Sequence, residues 1–147
     1  QGNYLTQFGS RGMVVGQLDE PVGIAVDSAG KVYIADTWNN RVQVFSPNET
    51  GTTFTSVLTW DVDAWTTDSL DNKPFLALGA NNQVYITDPD LGRVIRFDNQ
   101  GAFLQLWGGY QNSFLMGIIS GIAVGQDGSV WVSDALNNNL LQFTPPN

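Results

Sequence analysis

Residues 21–27 (PVGIAVD), followed by residues 32–36 (VYIAD) and residues 41–45 (RVQVF), decide the fold of this chain. The three segments are short and apolar, and turns rich in Asp, Asn and Gly separate them. A weaker version of the same succession spans residues 74–97, and another spans residues 121–143. One structural unit therefore fills the chain three times.

The spacing of the units indicates their architecture. Asp36, Asp88 and Asp134 end the second segment of each unit, at intervals of 52 and 46 residues. A repeat of about 40 to 50 residues is the length of a propeller blade. Each unit contains short runs rich in β-branched and aromatic residues, bounded by turn residues, and no segment has helical spacing of its apolar residues. The sequence predicts an all-β fold, a β-propeller of four-stranded blades.

The first unit resembles the NHL repeat family. That family combines a Pro-x-Gly-Ile-Ala-Val-Asp strand, a Val-Tyr-Val-Ala-Asp strand and an Asn-x-Arg-Val-Gln-Val-Phe strand, and residues 21–45 match it nearly residue for residue. The second unit has Leu76 in place of the glycine, and the third has Asn139 in place of the arginine. The resemblance implies blades whose loops after the second and fourth strands gather on one face.

The amino-terminal segment has the pattern of a fourth strand. Residues 4–9 line up with residues 103–108, the fourth strand of the second unit. We therefore predict a single NHL-like propeller unit over residues 1–147, with a detached outer strand at 1–10, a first blade at 17–60, a second blade at 70–107 and a third blade at 117–143 that lacks its outer strand.

Three blades are too few to close a ring, because propellers close with about four to eight. We expect three blades to be half of a six-bladed ring. Two chains would form a homodimer in which the amino-terminal strand of each chain completes the last blade of the other. The alternative is that these residues were excised from a longer parent chain whose remaining blades complete the ring.

Composition and charge exclude several classes of function. The net charge is −8 with a sequence pI of about 4.1, whereas nucleic-acid binding needs a positive face. No run of apolar residues approaches the roughly 18 of a membrane span. The chain has no Cys and no His, which excludes disulfides, Ser-His-Asp catalysis and the usual zinc ligands. We expect no nucleic acid, no membrane span and no cofactor.

Aromatic, acidic and amide side chains recur in the loops that the resemblance brings to one face. Aromatic rings stack on cations or sugars, and carboxylates attract cationic groups, so a protein, a peptide or a glycan is the expected ligand. The alternative is a solvated acidic face with its Trp side chains packed over blade edges. The predicted ligand-binding residues are Trp38, Asn39, Asn40, Trp65, Asp68, Asp90, Tyr110 and Asn137.

Charged residues at the strand ends are predicted to be structural markers. Asp36, Asp88 and Asp134 stand where a strand enters a loop, and such carboxylates commonly accept hydrogen bonds from loop amides. Arg41 and Arg93 begin the third segments and are expected to pair with nearby carboxylates or carbonyls.

An enzymatic alternative rests on Glu20. Calcium-dependent lactonase-like propellers resemble this chain in having a Glu before an early inner strand. Lys73 and residues 119–120 stand at the corresponding positions and supply no obvious ligand, whereas calcium prefers six to eight oxygens. We therefore predict a non-enzymatic interaction and assembly module. A purely structural subunit of an extracellular assembly is a further alternative, and the low-charge, cysteine-free composition favours an extracellular or cell-surface location.

Overall fold

A computed structural model of the chain describes residues 2–65, 73–109 and 116–145. Their strands are β1 (Pro21–Val26), β2 (Val32–Asp36), β3 (Arg41–Pro47), β4 (Phe54–Asp61), β5 (Leu76–Leu78), β6 (Val84–Asp88), β7 (Arg93–Phe97), β8 (Phe103–Gly108), β9 (Ile119–Val124), β10 (Val130–Asp134) and β11 (Asn139–Phe143). The helical segments are short 3₁₀ turns at Thr37–Asn39 and Ala80–Asn82. No helix within the described ranges is long and apolar enough to cross a membrane.

The strands form three antiparallel sheets. Sheet 1 has the order β1-β2-β3-β4, sheet 2 the order β5-β6-β7-β8, and sheet 3 the order β9-β10-β11. Within each sheet, every strand therefore pairs with the next one along the chain, as in a blade. The predicted all-β class is confirmed, and in the described part of the chain sheet 3 has three strands.

The turn between the second and third strands of each sheet explains part of the repeat pattern. Asn40, Gly92 and Asn138 occupy equivalent places in these turns, and all three have a positive φ, of 48°, 58° and 55° respectively. Asn and Gly are the residues that adopt this left-handed conformation most readily. The hairpin can then reverse so that Asp36 pairs with Arg41, and Asp88 with Arg93.

The innermost strands of neighbouring sheets lie close together. A side chain at Gly23 would come within 2.7 Å of the backbone nitrogen of Leu76, so the glycine of the repeat is needed for this approach. Polar contacts also join the sheets. The Asn82 side chain donates to Asp27 at 3.1 Å, and the Thr87 hydroxyl donates to the Ser120 carbonyl at 3.1 Å.

Apolar side chains fill the spaces between the sheets. One buried cluster combines Tyr33 and Val42 of sheet 1 with Val84 and Ile86 of sheet 2. A second cluster combines residues of sheets 2 and 3, including Tyr85, Val94, Ile119, Val130 and Val132. The core is thus divided into layers between successive sheets, which is how repeat blades stabilise one another.

The outer face of sheet 1 is covered by the amino-terminal segment. Val32, Ile34 and Phe45 form a third buried cluster, against which Phe8 and Leu18 pack. Residues 2–10, predicted to form a detached outer strand, make no strand pairing in this structure. A strand needs a neighbour to supply its backbone hydrogen bonds.

Candidate functional site

Asp36 is the centre of a hydrogen-bonded network at the end of β2. Its side chain is fully buried. One carboxylate oxygen accepts from the backbone N–H of Asp19 at 2.7 Å. The other accepts from Asn39 Nδ2 at 2.9 Å, from Arg41 Nε at 2.7 Å and from Gln43 Nε2 at 3.0 Å. The buried charge is therefore compensated by one cation and three neutral donors.

Arg41 extends this network to the linker that precedes sheet 1. Its guanidinium donates to the carbonyls of Met13 at 2.8 Å, Val14 at 3.1 Å and Gln17 at 2.9 Å, in addition to Asp36. Since charged donors make the stronger hydrogen bonds, the pair fixes the linker and the Thr37–Asn39 turn to the same strand ends.

Asp88 has the same position in sheet 2 but fewer partners. Its carboxylate accepts from Arg93 Nε at 2.7 Å and, at 3.4 Å, from the backbone N–H of Leu91. Arg93 also donates to the carbonyl of Asp63 at 2.7 Å. Burial raises the pKa of Asp88 above its ordinary value, although Arg93 and the Leu91 amide act in the opposite direction.

Asp134 lies at the same position in sheet 3, where Asn139 replaces the arginine. Its carboxylate accepts from the Gly117 N–H at 2.8 Å, from the Asn137 N–H at 3.1 Å and from Asn137 Nδ2 at 2.8 Å. Burial acts to raise the pKa of Asp134, but these hydrogen bonds outweigh it, so the pKa lies below its ordinary value.

The predicted loop residues differ in exposure and partners. Trp38 has 52% of its surface exposed, and Asn40 and Asn137 are also exposed. Asn39 is half-buried and donates to the Gly12 carbonyl at 3.0 Å as well as to the marker carboxylate, and Asp90 is half-buried. Trp38 thus presents its side chain beside loops that the Asp36 network holds in place.

Trp65 is a correction to the sequence prediction. It was predicted to be exposed for ligand binding, but it is 5% exposed and belongs to the core between sheets 1 and 2. Its indole N–H donates to the carbonyl of Thr87 at 2.9 Å. A buried indole needs a partner for its N–H, and the linker after β4 supplies that geometry. Asp68 and Tyr110 lie outside the described residues.

Sequence reasoning missed Gln43, which is fully buried in sheet 1. It donates to the Gln17 carbonyl at 2.6 Å and accepts from the Gly16 N–H at 3.0 Å. The available signal was a polar residue at a strand position where the other units carry Ile95 and Leu141. Such a substitution marks a place where a buried polar contact replaces packing.

An open cleft of about 600 Å³ borders the amino-terminal segment. Its lining includes apolar Phe8 and Leu18, acidic Asp19 and Glu20, and Trp38. Glu20 pairs with Lys73, while its second carboxylate oxygen is buried without a hydrogen-bond partner. Within residues 2–65, 73–109 and 116–145, His, Cys, Asp and Glu side chains form no group of three or more suited to a metal. The cleft lining thus combines apolar, aromatic and acidic side chains.

Comparison with known families agrees with the strand pattern. The pattern of the NHL repeat matches residues 18–45. The chain contains an NHL repeat. This match covers β1, β2 and residues 41–45 of β3, and with them Asp36 and all four of its hydrogen-bond donors.

Curated relatives match a short stretch of this chain. Protein ncl-1 of Caenorhabditis elegans, a B-box type zinc finger protein, is 48% identical over 42 residues, which are 29% of this chain and 5% of that protein. The E3 ubiquitin-protein ligase TRIM71 of Rattus norvegicus is 50% identical over 40 residues, 27% of this chain and 5% of the ligase. The chain therefore matches a small fraction of these much longer proteins.

Solved structures extend the likeness to the other sheets. A streptogramin B lyase structure superposes with a TM-score of 0.55 and 18% identity, over 86% of this chain and 41% of the lyase. The solved structures that this chain resembles are β-propeller proteins. At this identity the likeness concerns the fold, and the described sheets are of propeller type.

Proposed function

We propose that this chain is a non-enzymatic protein-interaction module that binds a protein or peptide through the loop face around Trp38. The observation that supports this proposal is an indole exposed by 52% on a turn whose neighbours are fixed by the Asp36 network. Large aromatic side chains on rigid supports are favoured binding anchors, because little conformational entropy is lost when they are covered.

The net charge of the chain favours a cationic partner. The chain carries a net charge of −8, and Asp19 and Glu20, which line the cleft with Trp38, pair with Arg11 and Lys73 respectively. A Lys or Arg side chain can place its cation over the indole face while the acidic groups lower the energy of the charge. The NHL repeat shared with TRIM71 and ncl-1 supports an interaction role.

A display library of extended peptides containing Lys or Arg tests the proposal, with a glycan array as the competing probe. We expect the chain to select peptides and Trp38→Ala to weaken binding of a selected peptide by at least about tenfold, roughly 1.4 kcal/mol. Val57→Ala is the matched control, since Val57 is 53% exposed on β4. Selection of glycans alone, or equal binding by Trp38→Ala, would contradict the proposal.

We also propose that the three sheets are half of a six-bladed ring completed by a second chain. Three blades fall short of the number that closes a propeller, and the open ends of the array leave unpaired strand edges that favour association. Light scattering after size exclusion is the test. Twice the chain mass of 16.0 kDa supports the ring, and a single-chain mass contradicts it.

A purely structural subunit is the second candidate for this fold. It differs from the binding module in one outcome, because Trp38→Ala would leave both the assembly and its contacts unchanged. A partner that is lost on Trp38→Ala while the mass of two chains persists would favour the binding module.

A further inference from the structure

An aromatic contact repeats at each boundary between sheets. Trp60, near the end of β4, packs on Phe97 of sheet 2 with ring centroids 5.9 Å apart. Trp107, near the end of β8, packs on Phe143 of sheet 3, also at 5.9 Å. The outer strand of each sheet therefore places an aromatic ring on the Phe that ends the third strand of the next sheet.

The amino-terminal segment makes the same contact with sheet 1. Phe45, Phe97 and Phe143 each stand nine residues after their marker Asp. Phe8 packs on Phe45 with ring centroids 5.0 Å apart. Phe8 therefore takes the place that Trp60 and Trp107 take at the other boundaries, although the described residues form no sheet before sheet 1.

Local geometry around Phe8 supports this equivalence. Gly9 and Gly108 follow the two aromatic residues and have similar positive φ values of 84° and 92°. A side chain at Gly9 would meet Leu18, and one at Gly108 would meet Met116. Leu18 and Met116 each precede their marker Asp by 18 residues.

The exposure pattern of the segment is that of an outer strand. Thr6 and Phe8 are half-buried and alternate with exposed Leu5 and Gln7, and in the same way Gln105 and Trp107 of β8 alternate with exposed neighbours. The Thr6 hydroxyl donates to the Thr52 carbonyl at 2.9 Å. Residues 4–9 thus lie where the outer strand of a preceding blade would lie.

At the other end of the array, the described residues leave the far face of sheet 3 uncovered. Tyr33, Tyr85 and Trp131 are equivalent residues, each three before its marker Asp. The two tyrosines are 3% and 4% exposed, because the next sheet covers them, whereas Trp131 is 43% exposed. Trp131 is more exposed than the two tyrosines because no further sheet of the described residues packs on this face.

Leu140 is also more exposed than its equivalents in the other sheets, and by a larger margin than Trp131. Its equivalents Val42 and Val94 have no exposed surface, whereas Leu140 is 72% exposed. The residues of this face carry no formal charge, as is typical of interface cores. They are Gly121, Ala123, Trp131, Ser133, Leu140 and Gln142.

We infer that the far face and free edge of sheet 3 dock against the amino-terminal segment and cleft of a second copy of this chain. Leu140 and Trp131 of one copy would cover Phe8 and Leu18, which line the cleft of the other. The inference rests on the proposed six-bladed ring and adds the surfaces that join its halves. Two identical contacts related by a two-fold axis then close the ring, which is the commonest symmetry of soluble oligomers.

The pairing of β7 with β8 supplies the register. Val94 lies opposite Trp107, and Arg96 lies opposite Gln105. If β11 pairs with the amino-terminal segment of the second copy in the same register, Leu140 lies opposite Phe8 of that copy, and Gln142 lies opposite Thr6. In the described part of the chain β11 has a neighbouring strand on one side only, so its other edge can accept this segment.

A second copy fits this surface better than an unrelated protein. The open face of sheet 3 and the segment at sheet 1 are the two halves of a contact that the chain already makes twice within itself. An unrelated partner would have to reproduce the spacing of Phe8, Gly9 and Leu18, which the chain itself provides.

Light scattering of the full chain across a dilution series tests the inferred surface. We expect a two-chain mass for the unmodified chain and for Val57→Asp, which adds the same charge to a 53% exposed apolar residue outside the surface. Leu140→Asp should raise the dimer dissociation constant by at least about 30-fold, the size of an interface hot spot. Because Leu140 is exposed in one copy, this change leaves the single-chain fold intact.

Engineered cysteines test the register directly, since the chain has none of its own. Thr6→Cys combined with Gln142→Cys should give a covalent two-chain species on oxidation, because opposed residues in paired strands meet disulfide geometry. Thr6→Cys combined with Gln105→Cys is the control, since Gln105 already pairs within sheet 2. Equal cross-linking in both variants would overturn the register.

The outcomes separate this inference from the proposals on which it rests. A two-chain mass that Leu140→Asp does not alter overturns the inferred surface and leaves the ring standing. A one-chain mass overturns both, and peptide binding through Trp38 would still stand. In that case a blade of a longer parent chain would be the occupant.

Discussion

Asp36 and Asp88 occupy equivalent places in sheets 1 and 2, yet their surroundings differ. Asp36 accepts hydrogen bonds from a guanidinium, two side-chain amides and a backbone N–H. Asp88 has one guanidinium and one long contact to an amide. One repeat position can therefore hold a fully compensated buried charge or a poorly compensated one, and the difference depends on residues outside the ion pair.

The largest effect that this comparison predicts is that of Asp36→Ala. The variant leaves the guanidinium of Arg41, 10% exposed, without its carboxylate, and removing one partner of a buried pair costs about 3 to 5 kcal/mol. Urea unfolding should show this decrease in the free energy of unfolding. Asp61→Ala removes the same charge at an exposed strand end and should change stability by less than about 0.5 kcal/mol. Equal effects of the two variants would refute the structural role of Asp36.

Gln43→Ile makes the network of sheet 1 more like that of sheet 2, which has Ile95 at this place. The change removes one donor to Asp36 and one to the Gln17 carbonyl, both of which keep Arg41, and leaves the Gly16 N–H without its acceptor. An unsatisfied buried group costs about 1 to 3 kcal/mol, and we expect a loss in that range by urea unfolding. The reverse change, Ile95→Gln, should also destabilise, because sheet 2 offers no matching linker contacts. If Gln43→Ile leaves the free energy of unfolding unchanged, packing alone stabilises this region.

The pH dependence of stability should differ in sign between Asp134 and Asp88. Hydrogen bonds lower the pKa of Asp134 below 3.8, so the unfolded chain takes up the proton first. The contribution of Asp134 to the free energy of unfolding is therefore fully present above pH 3.8, and it is lost as the pH falls through the pKa of Asp134 in the folded chain. Burial raises the pKa of Asp88 above 3.8, so the folded chain takes up that proton first, and its contribution increases as the pH falls toward 3.8.

Unfolding free energies between pH 7 and pH 3 check both signs, by comparing the unmodified chain with Asp134→Asn and with Asp88→Asn. The free energy of unfolding of the unmodified chain should exceed that of Asp134→Asn by a smaller amount at the acidic end. Relative to Asp88→Asn, the unmodified chain should become more stable as the pH falls toward 3.8. Parallel curves for the two variants would contradict the assignment.

Trp38→Ala should have the smallest effect on stability. The indole is half exposed and belongs to no buried cluster in the described residues, so truncation should change the free energy of unfolding by less than about 0.5 kcal/mol. A larger loss in urea unfolding would indicate that Trp38 supports the Asp36 network, and it would weaken the case for a binding role.

The repeat allowed much of the fold to be predicted because its pattern reflects the local conformational preferences of strands and turns. The continuous apolar run of residues 32–35 predicted a strand, and Asn or Gly at positions such as Asn40 that require a positive φ predicted a tight turn, both close to where they lie. The position of the marker carboxylates at the strand ends followed from the same pattern. Trp65 was predicted wrongly because an irregular linker has no periodicity, and its burial depends on contacts with sheet 2.

Local residue chemistry was enough to establish an all-β chain of repeated antiparallel units, a net charge of −8 and the absence of histidine and thiol chemistry. Contacts between distant segments decided the rest. The different partner sets of Asp36 and Asp88, the burial of Trp65 and the position of Phe8 on Phe45 all join residues far apart in the chain. The energies of these contacts depend on which surfaces pack against each other after folding. A strand pattern specifies which side chains lie on each surface, but not which surfaces come into contact.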